Sequence, residues 1–472
     1  MKIRICAIMI CVLIVLGGCN FPEESTPGAV EIEAGDSAAQ DLPAHEGGEA
    51  GEALVTDDDA IITYVDSPGI GNIVVRIQPP ETPRYSEGAP IVVEAQTFFT
   101  PSSGFNSSLD ATIIGAISVD YLWPGNEDPR NGVRSDGEYD YGGENCLAAL
   151  RDVIRFATGE TTDVNGYSID DLLEVDALTD NVGLYAFSHP GIAATNVIAH
   201  YGALFPGLDY FVGRENPTED AMYALEPGHF DETGKPLINP YYDPMAYTPT
   251  AIRIDYSQVG WLQNADYPEG WPYFAEADGQ DYVVSSRHPT MFGKDFFSIQ
   301  LLQALVDNGA LALEDWPENL ATPQEARDLW PYRTTVENYP LLRDSAPNLK
   351  VILVFAREDH VQTAIDKPHI HQAYDGFRDG AGLWVRLNPD AAYVQVLMGL
   401  ADAAAYTENP ANSEPGDWMQ IRSWGYRGVL GGQPANVFVP LAAVSEMMDR
   451  VQFENWDADL ASTLYEWTLP DQ

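Results

Sequence analysis

The chain has 472 residues, of which 45% are hydrophobic and 11% aromatic. This composition excludes a globally disordered protein, and the length suffices for one large domain with an insertion or for two domains. The formal net charge is −48, which argues against nucleic acid as a partner and against electrostatic binding to anionic lipid, because like charges repel.

The first nineteen residues have the pattern of a secretory signal. Lys2 and Arg4 precede a short apolar run, and LGGC at 16–19 places small residues before a cysteine. This stretch resembles a bacterial lipobox. The resemblance implies lipid on Cys19 and a protein secreted across the inner membrane and anchored at the bacterial cell envelope. The alternative is an ordinary signal peptide that happens to contain a cysteine.

Residues 20–60 are rich in Glu, Asp, Gly, Ala and Pro and contain few large apolar side chains. Such a segment cannot offset the entropy lost on ordering, so we expect a disordered acidic tether between the membrane and the folded part. Beyond Cys19 the sequence contains only Cys146. The mature protein therefore has no internal disulfide and depends on its core for stability.

A folded pattern begins at residue 61. The runs IITYV and NIVVRIQ flank a turn and predict an antiparallel hairpin. Two continuous apolar runs, 90–99 and 112–122, are typical of strands buried on both faces. After a turn-rich loop at 124–143, the spacing of apolar residues predicts an amphipathic helix over 144–159.

A strand at 181–188, a helix after it and a strand at 208–213 continue the pattern. This alternation predicts an α/β fold with a mostly parallel sheet and helices on both faces. Residues 217–345 are rich in loops, aromatics and proline, apart from a helix at 296–310, and we expect them to form an inserted cap. The α/β pattern resumes in 346–472 with strands at 349–359 and 383–389 and helices near 366–380 and 438–450.

Ser188 stands between the buried strand at 181–188 and the next helix. This placement predicts a hydroxyl at the carboxyl end of the sheet, where open α/β folds bind ligands. The hydroxyl would lie over a helix N-terminus, whose N–H groups stabilise negative charge. The N–H of His189 is in addition a candidate donor to an oxyanion.

Residues 61–216 and 346–450 resemble the α/β-hydrolase superfamily, and the long acidic loop resembles its dienelactone-hydrolase and prolyl-peptidase branches. The family elbow is Gly-x-Ser-x-Gly, and here AFSHPG at 186–191 takes its place. Pro190 departs from that pattern but is tolerated in a first helical turn. The resemblance implies a serine hydrolase that acts on a small-molecule or peptide ester or amide, needs no cofactor, uses Ser188 as nucleophile, and has its second oxyanion donor near Thr100.

The acid and base of such a site are less well marked. Asp359, after the strand that follows the insertion, matches the family acid, and Glu215 is the alternative. The family histidine follows the last strand, where this sequence has Asn388, and no histidine occurs after His371. His360 is the first candidate for a substitute base, and the other candidates are His369, His371 and His288.

Two other interpretations follow from the same residues. Asp359 and the nearby histidines are suitable metal ligands, but their spacing fits no metal motif, and Asp136, Glu138 and Asp140 lack the spacing of an EF-hand. We therefore predict no metal site. The missing late histidine leaves open a second class of function, a degenerate hydrolase fold that binds a ligand or partner at the cell surface.

Overall fold

The computed structural model describes residues 54–55, 60–96, 104–219, 225–231, 235–243, 254–275, 281–284, 294–355, 359, 361–364, 367–398 and 435–456. The predicted signal peptide, Cys19 and most of the predicted tether lie outside these ranges. Within them, no helix combines the length and apolar character that a membrane span requires.

The described strands belong to one large sheet and three small ones. They are β1 (Leu54–Val55), β2 (Ile61–Ser67), β3 (Gly71–Gln78), β4 (Ala89–Ala95), β5 (Ile117–Tyr121), β6 (Glu127–Asp128), β7 (Val133–Arg134), β8 (Ala177–Phe187), β9 (Leu208–Arg214), β10 (Gly228–Phe230), β11 (Pro236–Ile238), β12 (Val259–Leu262), β13 (Trp271–Ala275), β14 (Asp281–Val283), β15 (Lys350–Val354) and β16 (Trp384–Leu387).

The described helices include two that connect strands of the large sheet near its centre and one long helix near the C-terminus. They are α1 (Glu144–Ala157), α2 (Pro190–Tyr201), α3 (Ile299–Asp307), α4 (Pro323–Arg333), α5 (Leu342–Ser345), α6 (Pro368–Asp375), α7 (Ala391–Met398) and α8 (Ala435–Gln452).

The large sheet has the order β1-β2-β3-β5-β4-β8-β9-β15-β16. Strand β3 is antiparallel to both β2 and β5, whereas every pair from β5 to β16 is parallel. The mostly parallel sheet predicted from the sequence is therefore confirmed, with its antiparallel strands at one edge.

Helices cover both faces of this sheet, as predicted. Along β4, Ile91 and Val93 pack in one buried cluster with residues of α1 and α2. Val92 lies between them in the chain and packs in a second cluster with residues of α8. Because neighbouring strand residues point to opposite faces, the two clusters are the cores on the two sides of the sheet.

Two predicted boundaries are corrected. The run 112–122 was expected to be one strand, but it begins as a 3₁₀ turn, Ala111–Ile114, which Gly115 ends at a φ of 78°. Only Ile117–Tyr121 is extended. In addition, Leu54 and Val55 pair with Ile62 and Ile61, so the sheet extends into the segment expected to be a disordered tether.

The loop at 124–143 is built on carboxylates that accept backbone hydrogen bonds. Asp136 accepts from the N–H of Asn72, and Asp140 accepts from the N–H groups of Gly143, Asn145 and Cys146 at the start of α1. Both are thus turn and cap residues. Among the described residues no group of three or more His, Cys, Asp or Glu side chains is arranged to hold a metal.

Between β9 and β15 the chain forms a separate packing unit. It contains the hairpin β10–β11, the antiparallel sheet β12–β13–β14, and helices α3 and α4. Its buried side chains form their own cluster, which includes Phe274, Phe297, Leu301 and Leu305. Among the described aromatic residues of the insertion, Phe274, Tyr282, Phe296 and Phe297 are buried in this cluster.

A buried ionic network attaches α8 to the large sheet. Arg84 donates through Nε and Nη2 to the two carboxylate oxygens of Asp449 at 2.8 and 2.9 Å, and Tyr85 donates to the same carboxylate at 2.6 Å. One turn earlier, Glu446 accepts from Arg386 at 2.5 Å and from Arg450 at 2.9 Å. The hydrogen bonds offset the cost of removing these charges from water.

We predict that Asp449→Ala lowers the free energy of unfolding by about 3–5 kcal/mol, because it leaves the Arg84 guanidinium buried without its carboxylate. Urea denaturation of the purified protein measures the change. The matched control is Asp379→Ala, which breaks an exposed pair with Arg378 and should cost less than about 1 kcal/mol. Equal losses in the two variants would contradict the prediction.

Candidate functional site

Ser188 occupies a strained elbow between β8 and α2. Its φ is 59°, in the left-handed region that a residue with a side chain rarely adopts. Its N–H donates to the carbonyl of Arg214 at 2.8 Å, and its own carbonyl accepts from the N–H of Gly191 at 3.0 Å. The side chain lies at the carboxyl end of the parallel strands and is 9% exposed. The predicted strand–serine–helix elbow is thus present.

Asn216 fixes the backbone of this elbow. Its Nδ2 lies 3.0, 2.7 and 3.2 Å from the carbonyl oxygens of Ala186, Ser188 and Arg214. A Cβ atom on Gly191 would lie 2.1 Å from Cγ of Asn216, so only glycine fits there. The amide therefore ties the ends of β8 and β9 to the first turn of α2.

Backbone strain recurs along this edge of the sheet. Glu215 follows β9 with a φ of 47°, and Asn388 follows β16 with a φ of 58°. The N–H of Glu215 donates to the carbonyl of Val354 at 2.9 Å. Non-glycine residues in such conformations persist only where their surroundings hold them, and they cluster at functional sites.

Asp359 follows β15 and pairs with a histidine. Oδ2 of Asp359 lies 3.2 Å from Nε2 of His369, and both side chains are buried. The other oxygen, Oδ1, accepts hydrogen bonds from the N–H groups of Val361 and Gln362 at 2.7 and 2.9 Å, which fix the carboxylate. Nδ1 of His369 is buried and makes no hydrogen bond within the described part of the chain.

The first choice of base made from the sequence, His360, lies outside the described residues, as do the oxyanion candidate Thr100 and the alternative His288. Among the described residues, the acid candidate Asp359 is in contact with His369, one of the alternatives named from the sequence.

His371, two residues further along α6, has a different environment. Burial, followed by the neighbouring His369, lowers the pKa of His371 to about 4. Its imidazole is therefore neutral at pH 7. A general base is most effective when its pKa lies near the working pH, so the environment of His371 is unfavourable for that role.

Asn388, at the position where the family resemblance implies the histidine, has a structural role. Its Oδ1 accepts from the N–H of Phe355 at 2.9 Å, and its own N–H donates to the carbonyl of Leu353 at 2.9 Å. These bonds join the ends of β15 and β16.

His189, the residue after Ser188, contacts the insertion. Nε2 of His189 lies 2.6 Å from Nη2 of Arg333, the last residue of α4. Nη1 of the same guanidinium donates to the carbonyl of Tyr141 at 2.6 Å. His189 and Arg333 are 3% and 6% exposed. The insertion therefore reaches the elbow itself.

Sequence reasoning did not identify Asn216 or Arg333. Asn216 lies two residues after β9, and its role depends on three carbonyls that come together only in the folded sheet. Arg333 is 144 positions from His189, inside a segment without a regular pattern. The sequence offered one indication, and only for Asn216: its amide side chain comes shortly after the predicted strand 208–213, which follows the strand that ends at Ser188.

No protein-family model matches the sequence, and no curated protein matches it. Three similar solved structures are hydrolases. A prolyl oligopeptidase B from Galerina marginata is 11% identical with a TM-score of 0.36, and the match covers 83% of this chain and 37% of that one. An esterase is 10% identical with a TM-score of 0.37, covering 86% and 84% of the two chains. An α/β serine hydrolase from Xanthomonas campestris, described as having no lid, is 16% identical with a TM-score of 0.22, covering 34% and 62%.

This chain thus spans about 37% of the length of the prolyl oligopeptidase that it matches. The fold assignment rests on the sheet itself, with its parallel strands, its helices on both faces and its strand–serine–helix elbow.

A buried acid near the start of the insertion makes the stability of the fold depend on pH. Burial, followed by the nearby carboxylates of Glu226 and Glu337, raises the pKa of Glu219 to about 8 from an ordinary value of 4.5. Oε2 of Glu219 makes no hydrogen bond within the described residues, in keeping with a protonated carboxyl group. The folded state therefore holds this proton more tightly than the unfolded state does.

We predict that Glu219 stabilises the fold fully below pH 4.5 and that this contribution is lost as the pH rises through 8. Glu219→Gln should leave stability at pH 4.5 nearly unchanged and raise the unfolding free energy at pH 9 by on the order of a few kcal/mol. Denaturant titrations at the two pH values test this. Glu314→Gln, at an exposed position of the insertion, serves as the control, and the same pH dependence in both variants would contradict the assignment.

Proposed function

We propose that this protein is a serine hydrolase that cleaves an ester or amide, with Ser188 as its nucleophile. The backbone of Ser188 carries this proposal. The left-handed conformation of Ser188 is the one that a nucleophile between a strand and a helix adopts. It directs the hydroxyl away from the sheet edge, and such strain is typical of functional sites. The Asn216 amide and the absent side chain of Gly191 hold that conformation.

Within this proposal, His369 is the general base and Asp359 orients it. Ser188 and Asp359 follow β8 and β15, which are separated in the sheet only by β9. Neighbouring strands lie about 4.8 Å apart, so the ends of β8 and β15 are about 10 Å apart, and Asp359 follows the end of β15 after a short segment. Asp359 engages Nε2 of His369, which leaves Nδ1 as the nitrogen for the serine.

The reaction then follows from the roles of these groups. Ser188 Oγ attacks the carbonyl carbon while His369 takes the hydroxyl proton. The N–H of His189, at the start of α2, stabilises the oxyanion, and the sequence places a second donor near Thr100. Collapse of the intermediate expels the alcohol or amine, which receives the proton from His369, and water releases the acyl group by the reverse sequence of proton transfers.

A binding function in a degenerate hydrolase fold is the rival proposal. The observation that favours it is Asn388, which occupies the position where the family histidine is expected. Its side chain instead bonds the N–H of Phe355 and so joins the ends of β15 and β16. The two proposals differ in whether the Ser188 hydroxyl is activated, and a probe of that hydroxyl separates them.

The test is labelling of the purified full-length protein with a fluorophosphonate, which reacts with activated serines. We expect labelling of the wild type and none of Ser188→Ala. His369→Gln should slow labelling by about 10²- to 10⁴-fold, the usual contribution of a general base. The matched control, His371→Gln on the same helix, should stay within a few-fold of wild type. A folded wild type that is not labelled supports the binding proposal instead.

We further propose that lipid on Cys19 anchors the protein at the outside of the inner or outer membrane, with the acidic segment after it as a tether. In a bacterial host supplied with radioactive palmitate, wild type should incorporate label and sediment with membranes. Cys19→Ser should lose the label, whereas the control Cys11→Ser, within the apolar run of the signal, should keep it. Label retained by Cys19→Ser would refute the anchor.

A further inference from the structure

The two ends of the insertion meet beside the elbow, and one of them contacts the helix that follows Ser188. The N–H of Thr335 donates to the carbonyl of Thr218 at 2.7 Å, and Thr334 forms a bridge with Glu219. On the other side, Asn196 of α2 donates to the carbonyl of Tyr332 at 3.2 Å. The end of α4 is therefore held both by the segment after β9 and by the helix that carries the elbow.

Arg333 lies at the centre of this junction. Its guanidinium has only donors, so Nε2 of His189, 2.6 Å away, must be the acceptor. His189 is thus held neutral, with its ring in a fixed orientation. Because Nη1 also donates to the carbonyl of Tyr141, the guanidinium cannot turn without losing one of its two bonds.

Held in this way, the His189 side chain fixes the peptide to which it belongs. His189 connects the strained Ser188 to Pro190, the first residue of α2. The peptide group between Ser188 and His189 carries the N–H that is the oxyanion donor of the proposed reaction. An oxyanion donor acts by being in place before the charge develops. A displacement of about 1 Å can cost on the order of 100-fold in rate.

We infer that Arg333 is a positioning residue of the active site: through His189, the insertion sets the orientation of the oxyanion-binding peptide. This inference rests on the proposed function. The insertion is then a part of the catalytic machinery, since the elbow's donor is held in place by a side chain from outside the α/β core.

The test measures phosphonylation of the full-length protein by a fluorophosphonate and separates the maximal rate, kinact, from the half-saturating concentration, KI. Arg333→Met keeps the apolar length of the side chain and removes all donors. It should lower kinact by about 10- to 100-fold with little change in KI. Arg333→Lys should recover part of the rate, because an ammonium group can donate to His189 but cannot hold both partners.

The decisive comparison is a double-mutant cycle with His189→Ala. If Arg333 acts through His189, Arg333→Met causes no further loss of kinact in the His189→Ala protein. Arg327→Met is the matched control, because it removes the same charge from an exposed position of α4 and should leave kinact unchanged. Thermal melting shows whether each variant is folded.

The outcomes separate this inference from the proposed function. Losses that multiply in the double variant, an Arg333→Met protein that is labelled as fast as wild type, or an effect confined to KI each overturn the positioning role while Ser188 remains a nucleophile. A folded wild type that is not labelled overturns the proposed function, and this inference with it.

Discussion

The candidate site depends on the hydrogen bonds of one amide. Nδ2 of Asn216 lies within bonding distance of carbonyl oxygens from the end of β8, from Ser188 and from the end of β9. The carbonyls of Ser188 and Arg214 also accept backbone N–H groups, from Gly191 and Ser188, so the amide adds its hydrogen bonds to an edge that the backbone already joins. The two hydrogens of the amide are shared among the three carbonyls and help to keep the left-handed Ser188 in place.

The same edge explains how an insertion of more than a hundred residues is accommodated. The sheet continues from β9 directly to β15, so the chain between them leaves and re-enters at neighbouring strand ends. Its own hydrophobic cluster makes it a separate packing unit, yet Arg333 contacts His189 at the elbow and Tyr332 accepts a hydrogen bond from Asn196 of α2. Parallel strands thus place the insertion beside the serine without any special linker.

The architecture could be predicted from the sequence because the strands of the sheet are buried and the apolar residues of the helices recur at helical spacing. The run 90–95 is apolar at every position except Glu94, as expected of a strand covered on both faces, and α1 shows helical spacing. The contact between Asp359 and His369 was harder to predict. The place of Asp359 after a strand made it a candidate, but its contact with His369 depends on how the chain turns at Val361 and Gln362. The contact of Arg333 with His189 depends on tertiary packing alone, and no pattern in the sequence around either residue predicts it.

The pairing of Arg84 with Asp449 joins residues that are 365 positions apart. During synthesis, the Arg84 guanidinium has no access to its carboxylate until 365 further residues have been made. Closing so long a loop costs entropy before the contact can stabilise anything, so we expect α8 to dock on the sheet late in folding.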